Sequence, residues 1–430
     1  MTDSHRETDD VTAAIVFPEL SAQPEPEPGG FRQTFRALRH RNFRLFVIGQ
    51  IISLVGTWMQ NVAQAWLVYR LTHSELLLGT AWFCTHIPVF ALGPLGGLVS
   101  DRYSRQRIVI LTQTLSMLQA AALAVLTLSG KIAVWQVLAL AIVLGCINAF
   151  DMPARQALII HMASKEDLLS AISLNSAIFN SARVVGPALA GVLVASMGEG
   201  VCFSLNAISF AAVIGALIAM RLPRFVRQAQ ESPWVHLLDG FRYANRHPVV
   251  RPLLLMMAAT TISSMPASVL MPFFADAIFH RGSQGLGALT GAMGIGAVIG
   301  TLVLAGQARF SGLPTIIRLS TITLGIMFLV FAASPWYALS LSVMPVIGFA
   351  IMRQMASTNT LIQSLIPDDY RGRIMALYAM TVVGLGPFGS ILAGAMAHQY
   401  GARATVALGG ALCLLATLLL KLRPMAAPSR

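Results

Sequence analysis

Outside its apolar stretches this chain offers few side chains able to do chemistry, and the densest group is GLVSDRYSRQR (97–107). There Asp101 stands among Arg102, Arg105 and Arg107. A carboxylate among cations can pair in one arrangement of neighbouring helices and release in another, so this segment can act as a latch, with Gly97 admitting a close neighbour. The same residues would also serve as a plain anchoring turn. Asp151 and Arg155, four apart on a helix, are spaced to pair with each other and to engage the Asp101 group across the same face.

Arg183 is the outlier, because it lies deep inside an apolar run. At mid-membrane depth an arginine costs about 2.5–3.5 kcal/mol on insertion scales, so it must face the bundle interior or a wet cavity. No acid sits at a comparable depth, which favours lining a cavity and binding an anionic or carbonyl-bearing substrate. The titratable groups inside apolar runs are His86, Asp151 and Asp276. His86 is the best placed to carry a proton, since imidazole titrates near physiological pH, although a buried neutral histidine explains it as well. Thr57, Gln60, Asn61 and Gln64 share one helical face, suited either to line a substrate path or to bond neighbouring helices. Gly186-Pro187 and Gly191 in RVVGPALAG are echoed by Gly386-Pro387 in VVGLGPFGSILAG. Proline removes a backbone hydrogen bond and bends a helix, while glycine lets a neighbour approach.

The elements that must position these groups follow from composition. The chain has 430 residues, 56% hydrophobic and only 11% charged, against about 25% charged in a soluble domain. A helix crosses the bilayer with about 20 apolar residues. Twelve such runs are expected, at roughly 43–69, 75–99, 107–129, 133–152, 170–197, 202–220, 252–276, 285–306, 313–333, 335–357, 374–397 and 404–422. The fold class expected is therefore an all-α polytopic membrane protein.

The net charge of +12 could signal nucleic acid, but the basic residues punctuate the apolar runs rather than cluster on a folded domain. Their excess in alternate loops puts both termini in the cytoplasm by the positive-inside rule. Residues 1–40 are expected to form a disordered cytoplasmic tail without a signal peptide, and 223–250 a linker carrying an amphipathic helix between bundles at 41–222 and 251–422; 423–430 is a second cytoplasmic tail. Four scattered cysteines offer neither a metal site nor a disulfide framework. No cofactor is expected. A P-loop, an HExxH helix and a GxSxG elbow are all absent from the sequence, so neither a primary pump nor a membrane enzyme is indicated.

The segment 97–107 resembles the loop signature of the major facilitator superfamily, with Val99, Ser104 and Gln106 standing where the signature has Leu, Gly and Lys. Gly186-Pro187 resembles the motif of superfamily antiporters, which is tied to export. The blocks at 49–74, 150–159, 174–191, 202–210 and 366–378 are similar to the bacterial secretion-effector branch, that of enterobactin-exporter-like drug and siderophore exporters. The resemblance implies two six-helix bundles in the cytoplasmic (inner) membrane. It also implies a monomeric exporter of a small organic molecule, working by alternating access and proton antiport. An importer or uniporter on the same fold, or a non-transporting sensor, is the alternative.

Overall fold

Apolar runs of this length can satisfy their backbone polar groups in lipid only by forming helices. The computed structural model describes residues 35–160, 162, 164–220, 241–305 and 312–420, and among these twelve helices are long and apolar enough to cross a membrane. In the first half they are α1 (Arg41–Thr72), α2 (Glu75–Arg102), α3 (Arg105–Leu128), α4 (Val134–Ile160), α5 (Leu168–Met197) and α6 (Glu199–Ala219). The second half holds α7 (Val250–Val269, prolonged by Met271–Phe273 and a π-helical turn Phe274–Ile278), α8 (Gly282–Ala305), α9 (Leu313–Ala333) and α10 (Tyr337–Leu365). It closes with α11 (Asp368–Ala379, a π-helical turn Met380–Gly384, then Leu385–Tyr400) and α12 (Ala402–Leu419). The protein is an all-α polytopic membrane protein with the twelve spans that composition predicts.

The two halves pair their helices alike. In the first, α1 packs on α5 and α6, α2 on α4, and α3 on α4 and α6; in the second, α7 packs on α11 and α12, α8 on α10, and α9 on α10 and α12. The helix ends repeat as well. Gly198 (φ 82°) breaks the chain between α5 and α6, and Gly401 (φ 85°) does so between α11 and α12. Each donates its N–H to a carbonyl of the last turn, Val194 and Ala397 respectively. The left-handed backbone needed there favours glycine.

Both π-helical turns lie beside prolines. Pro387 cannot donate to the carbonyl four residues back, and the widened turn Met380–Gly384 lies where that bond would have formed. In α7 the turn follows Pro272.

The described residues touch the expected ends only in part. The segment expected to be tail includes an ordered 3-10 turn, Arg36–Arg39, because a buried carboxylate described below holds it. Of the linker, 221–240 lies outside the described residues, as do 1–34 and 421–430, while 241–246 are helical.

Candidate functional site

The bundles meet along two helix pairs, α5 with α8 and α2 with α11. Small residues allow the backbones to touch. An ideal Cβ on Gly191 would lie 2.9 Å from the Cα of Gly287, and one on Gly394 would lie 3.2 Å from the Cα of Gly79. Three side-chain hydrogen bonds among the described residues cross between the bundles. Ser283 donates to the Gly191 carbonyl (3.4 Å), Ser390 to the Gly79 carbonyl (3.1 Å), and Tyr69 to the Asp276 carboxylate (3.0 Å). All three lie toward the end remote from the linker, here the far end. One apolar core there runs through both bundles, from Leu67 and Val194 to Phe274 and Phe331. At the linker end the bundles keep separate cores, one around Phe43, Leu158 and Leu217 and the other around Leu253, Ile317 and Ile374. The seam is closed at the far end, and each bundle stands alone at the other.

Arg183 lies near the middle of this seam. On α5, exposed Val185, Leu189 and Val192 mark the lipid side, and Arg183 projects from the opposite side. Its guanidinium sits over the Trp58 ring of α1, 5.6 Å from the centroid. Trp58 in turn meets Phe179 edge-on at 5.6 Å, and Gly294 of α8 packs on the Arg183 carbonyl, 2.9 Å from an ideal Cβ. No acidic side chain pairs with Arg183 among the described residues. The result is a cation with no acidic partner among the described residues, set over the Trp58 ring where the bundles part. Gly186 supports it by admitting α1, since an ideal Cβ there would lie 2.5 Å from the Trp58 Cβ; Pro187 is buried in the same turn.

The polar face of α1 divides. Asn61 is exposed and Thr57 half-buried, its hydroxyl donating to the Ser53 carbonyl (2.9 Å). Gln64 is buried. Both ends of the Gln60 amide are held between helices: it donates to Gln119 of α3 (3.1 Å) and accepts from Asn206 of α6 (2.8 Å). His86 lies on the α2 face turned toward α11. Its ring stacks on Trp82 at 3.6 Å and its Nδ1 lies 2.9 Å from the Trp82 carbonyl oxygen. Trp82 packs against Gly386, and Pro387 is buried beside it.

At the linker end the expected latch is not made. Asp101 forms no ion pair with Arg102, Arg105 or Arg107, and Arg102 and Arg107 point to the exterior. Gly97 meets nothing within 4 Å; its neighbour Gly96 makes the close approach instead, against the Ala149 backbone of α4. Gln106, where the superfamily signature has Lys, donates to the Leu217 carbonyl of α6 (2.6 Å). Asp151 is buried. It pairs with Arg155 and accepts from Thr112 (2.6 Å) and Gln113 (2.9 Å), while Arg155 also donates to Gln50 (3.4 Å).

Sequence reasoning missed Asp167, in the turn before α5. Its fully buried carboxylate is hydrogen-bonded by His40 (2.8 Å) and forms ion pairs with the guanidiniums of Arg39 (2.7 Å) and Arg36 (3.3 Å), while the Ala37 N–H donates to Ser170 (3.0 Å). The bond from His40, aided by Arg39 and Arg36, holds the Asp167 carboxyl below its ordinary value despite burial. A clue was the run of basic residues at 36–44, which charge counting assigns wholly to topology. A cavity of about 430 Å³ lined by His40, Arg41, Asn42 and Met162 opens nearby, apart from the seam.

Two similarly paired six-helix groups meeting along such a seam define a transporter of the major facilitator fold, one that moves small molecules across a membrane. The family described as transmembrane secretion effector matches residues 32–428, and the chain belongs to it. It is similar to the staphyloferrin A transporter of Staphylococcus aureus (strain NCTC 8325 / PS 47), with 26% identity over 372 residues, 85% of this chain and 92% of that protein. Its identity with the multidrug efflux pump Tap of Mycolicibacterium fortuitum is 28%, over 84% of this chain and 90% of that one. With the enterobactin exporter EntS of Salmonella choleraesuis (strain SC-B67) it is 26%, over 83% and 86%. In fold it is similar to a bacterial homologue of the iron transporter ferroportin in the inward-facing state, with TM-score 0.69, 18% identity, and coverage of 88% of this chain and 98% of that chain. The protein is a multi-pass inner-membrane protein.

Proposed function

We propose that the protein is a secondary exporter that carries a small organic molecule out through the cytoplasmic membrane by alternating access, in exchange for protons. The observation that carries this reading is the one-sided seam: a single core at the far end, and separate cores at the linker end, around Arg183. Two rigid bodies joined at one end can rock to exchange which end is closed. With arginines concentrated around the linker and the start of α1, the linker end and both termini are assigned to the cytoplasm, and the described state is then open inward. Arg183 is suited to hold an anionic or carbonyl-bearing cargo against the Trp58 and Phe179 rings. The similarity to an enterobactin exporter and to a multidrug efflux pump supports outward movement. The protein would act as a monomer and leave its cargo chemically unchanged.

Comparing metabolites retained by cells lacking the protein would identify the cargo, and everted vesicles under an imposed pH gradient would test its movement. Accumulation driven by an acidic lumen is the expected result. Accumulation that ignores the gradient would remove proton antiport, and no vectorial movement of any retained solute would remove the exporter reading.

A further inference from the structure

Of the three bonds that hold the far end shut, two join a serine hydroxyl to a backbone carbonyl. The third joins Tyr69 of α1 to the Asp276 carboxylate of α7 (3.0 Å), and it alone includes a group that can gain a proton. Tyr69 is held rigidly: it is buried and packed among Trp66 (5.6 Å), His73 (5.1 Å) and Phe273 (6.2 Å). Asp276 rides on the π-helical turn Phe274–Ile278, and such turns are enriched at functional sites.

Among the described residues no cation forms an ion pair with Asp276. Nearby on α1, Arg70 is committed to Glu199 of α6 (2.7 and 3.2 Å). Beyond α7, Arg281 lies over the Tyr337 ring at 5.4 Å. The other titratable groups around the pair are His73 after α1, Glu75 at the start of α2 and His280 after α7. The Tyr69 hydroxyl is therefore the partner that holds the Asp276 charge. Asp276 is also only half-buried, so protons can reach it from the far side.

We infer that Asp276 is a proton-operated switch on the far gate: charged, it holds Tyr69 and keeps the bundles together at that end, and protonated from the far side it lets them part. Hydrogen bonds to charged groups are worth about 1.5–3 kcal/mol against about 0.5–1.5 for neutral ones. Protonation should thus raise the ratio of far-open to far-closed molecules by about tenfold. The switch rests on the alternating-access reading but not on export or on proton exchange. It governs opening and does not itself carry the exchanged proton across.

The test uses full-length protein in nanodiscs with its four native cysteines replaced by alanine, spin-labelled at Lys131→Cys and Tyr400→Cys across the far end. A second label pair across the linker end reports alternation independently. On lowering the pH from about 8 to about 4, the far-end distance distribution should shift toward longer values. Asp276→Asn should show the longer distances at every pH, and Tyr69→Phe should do the same without removing the carboxylate. His73→Gln and His280→Gln should keep the wild-type response. A pH response that survives in Asp276→Asn, or that vanishes in either histidine variant, would overturn the switch. Alternation at the linker end without any pH response at the far end would overturn the switch and leave alternating access standing. No alternation at either end would overturn both.

Discussion

A methyl group on Gly287 of α8 would lie 2.7 Å from the Cα of Gly191 on α5, closer than real Cβ atoms approach, whereas one on Gly291, a turn further along α8, would meet nothing nearer than 3.6 Å. Gly287→Ala should therefore force the bundles apart, at about 1–3 kcal/mol for overpacking, while Gly291→Ala should be tolerated. Thermal unfolding of the purified protein in detergent, followed by tryptophan fluorescence, checks the contrast. Equal melting temperatures for the two variants would deny that this contact limits the seam.

Arg183→Ala should weaken cargo binding by about 10–100-fold, the loss of a hydrogen bond to a charged group, with protein abundance nearly unchanged. Arg183→Lys keeps the charge but not the flat guanidinium over Trp58, and should fall between. Calorimetric titration with the cargo found by metabolite comparison reads both. Collapse of abundance in Arg183→Ala would make the residue structural.

Asp151 is buried against α3 while Arg155 is half-buried, so removing Arg155 leaves the buried Asp151 carboxylate without its cation. Arg155→Ala should destabilise the first bundle by about 3–5 kcal/mol. Asp151→Asn should cost less, because Thr112 and Gln113 can still donate to the amide oxygen. A double-mutant cycle on melting free energies should give a coupling above about 1 kcal/mol; additivity would mean that the two do not depend on each other.

Asp167 sets a pH dependence at the linker end. Its carboxyl is held below the ordinary value by His40, Arg39 and Arg36, so protons bind the unfolded or released segment more readily than the clamped one. The clamp is therefore fully present above the ordinary carboxylate value and is lost as pH falls through the lowered one. Amide exchange at residues 36–40, corrected for intrinsic rate, should stay slow at neutral pH and rise in strong acid. Asp167→Asn should show fast exchange at neutral pH too.

Asp101 makes no ion pair with Arg102, Arg105 or Arg107 while the linker end is open, and a latch is needed only when that end closes. Asp101→Asn should then impair transport without lowering the melting temperature. Full transport by a properly folded variant in vesicles would remove the latch.

What could be read from the chain alone were properties that a helix carries by itself. Twelve apolar runs become twelve spans because lipid leaves the backbone no partner outside its own helix. Asp151 finds Arg155 because four residues make one turn. Which way each polar residue faces was decided elsewhere. Gln60 and Asn61 are adjacent in sequence, yet one is consumed by Gln119 and Asn206 while the other stays exposed, and hydropathy cannot separate them when lipid and core are equally apolar. Tyr69 and Asp276 lie 207 residues apart, and His40 lies 127 from Asp167. Pairs so distant are fixed only when whole bundles pack, which is also what decides that the far end is shut and that Arg183 stands where the bundles part.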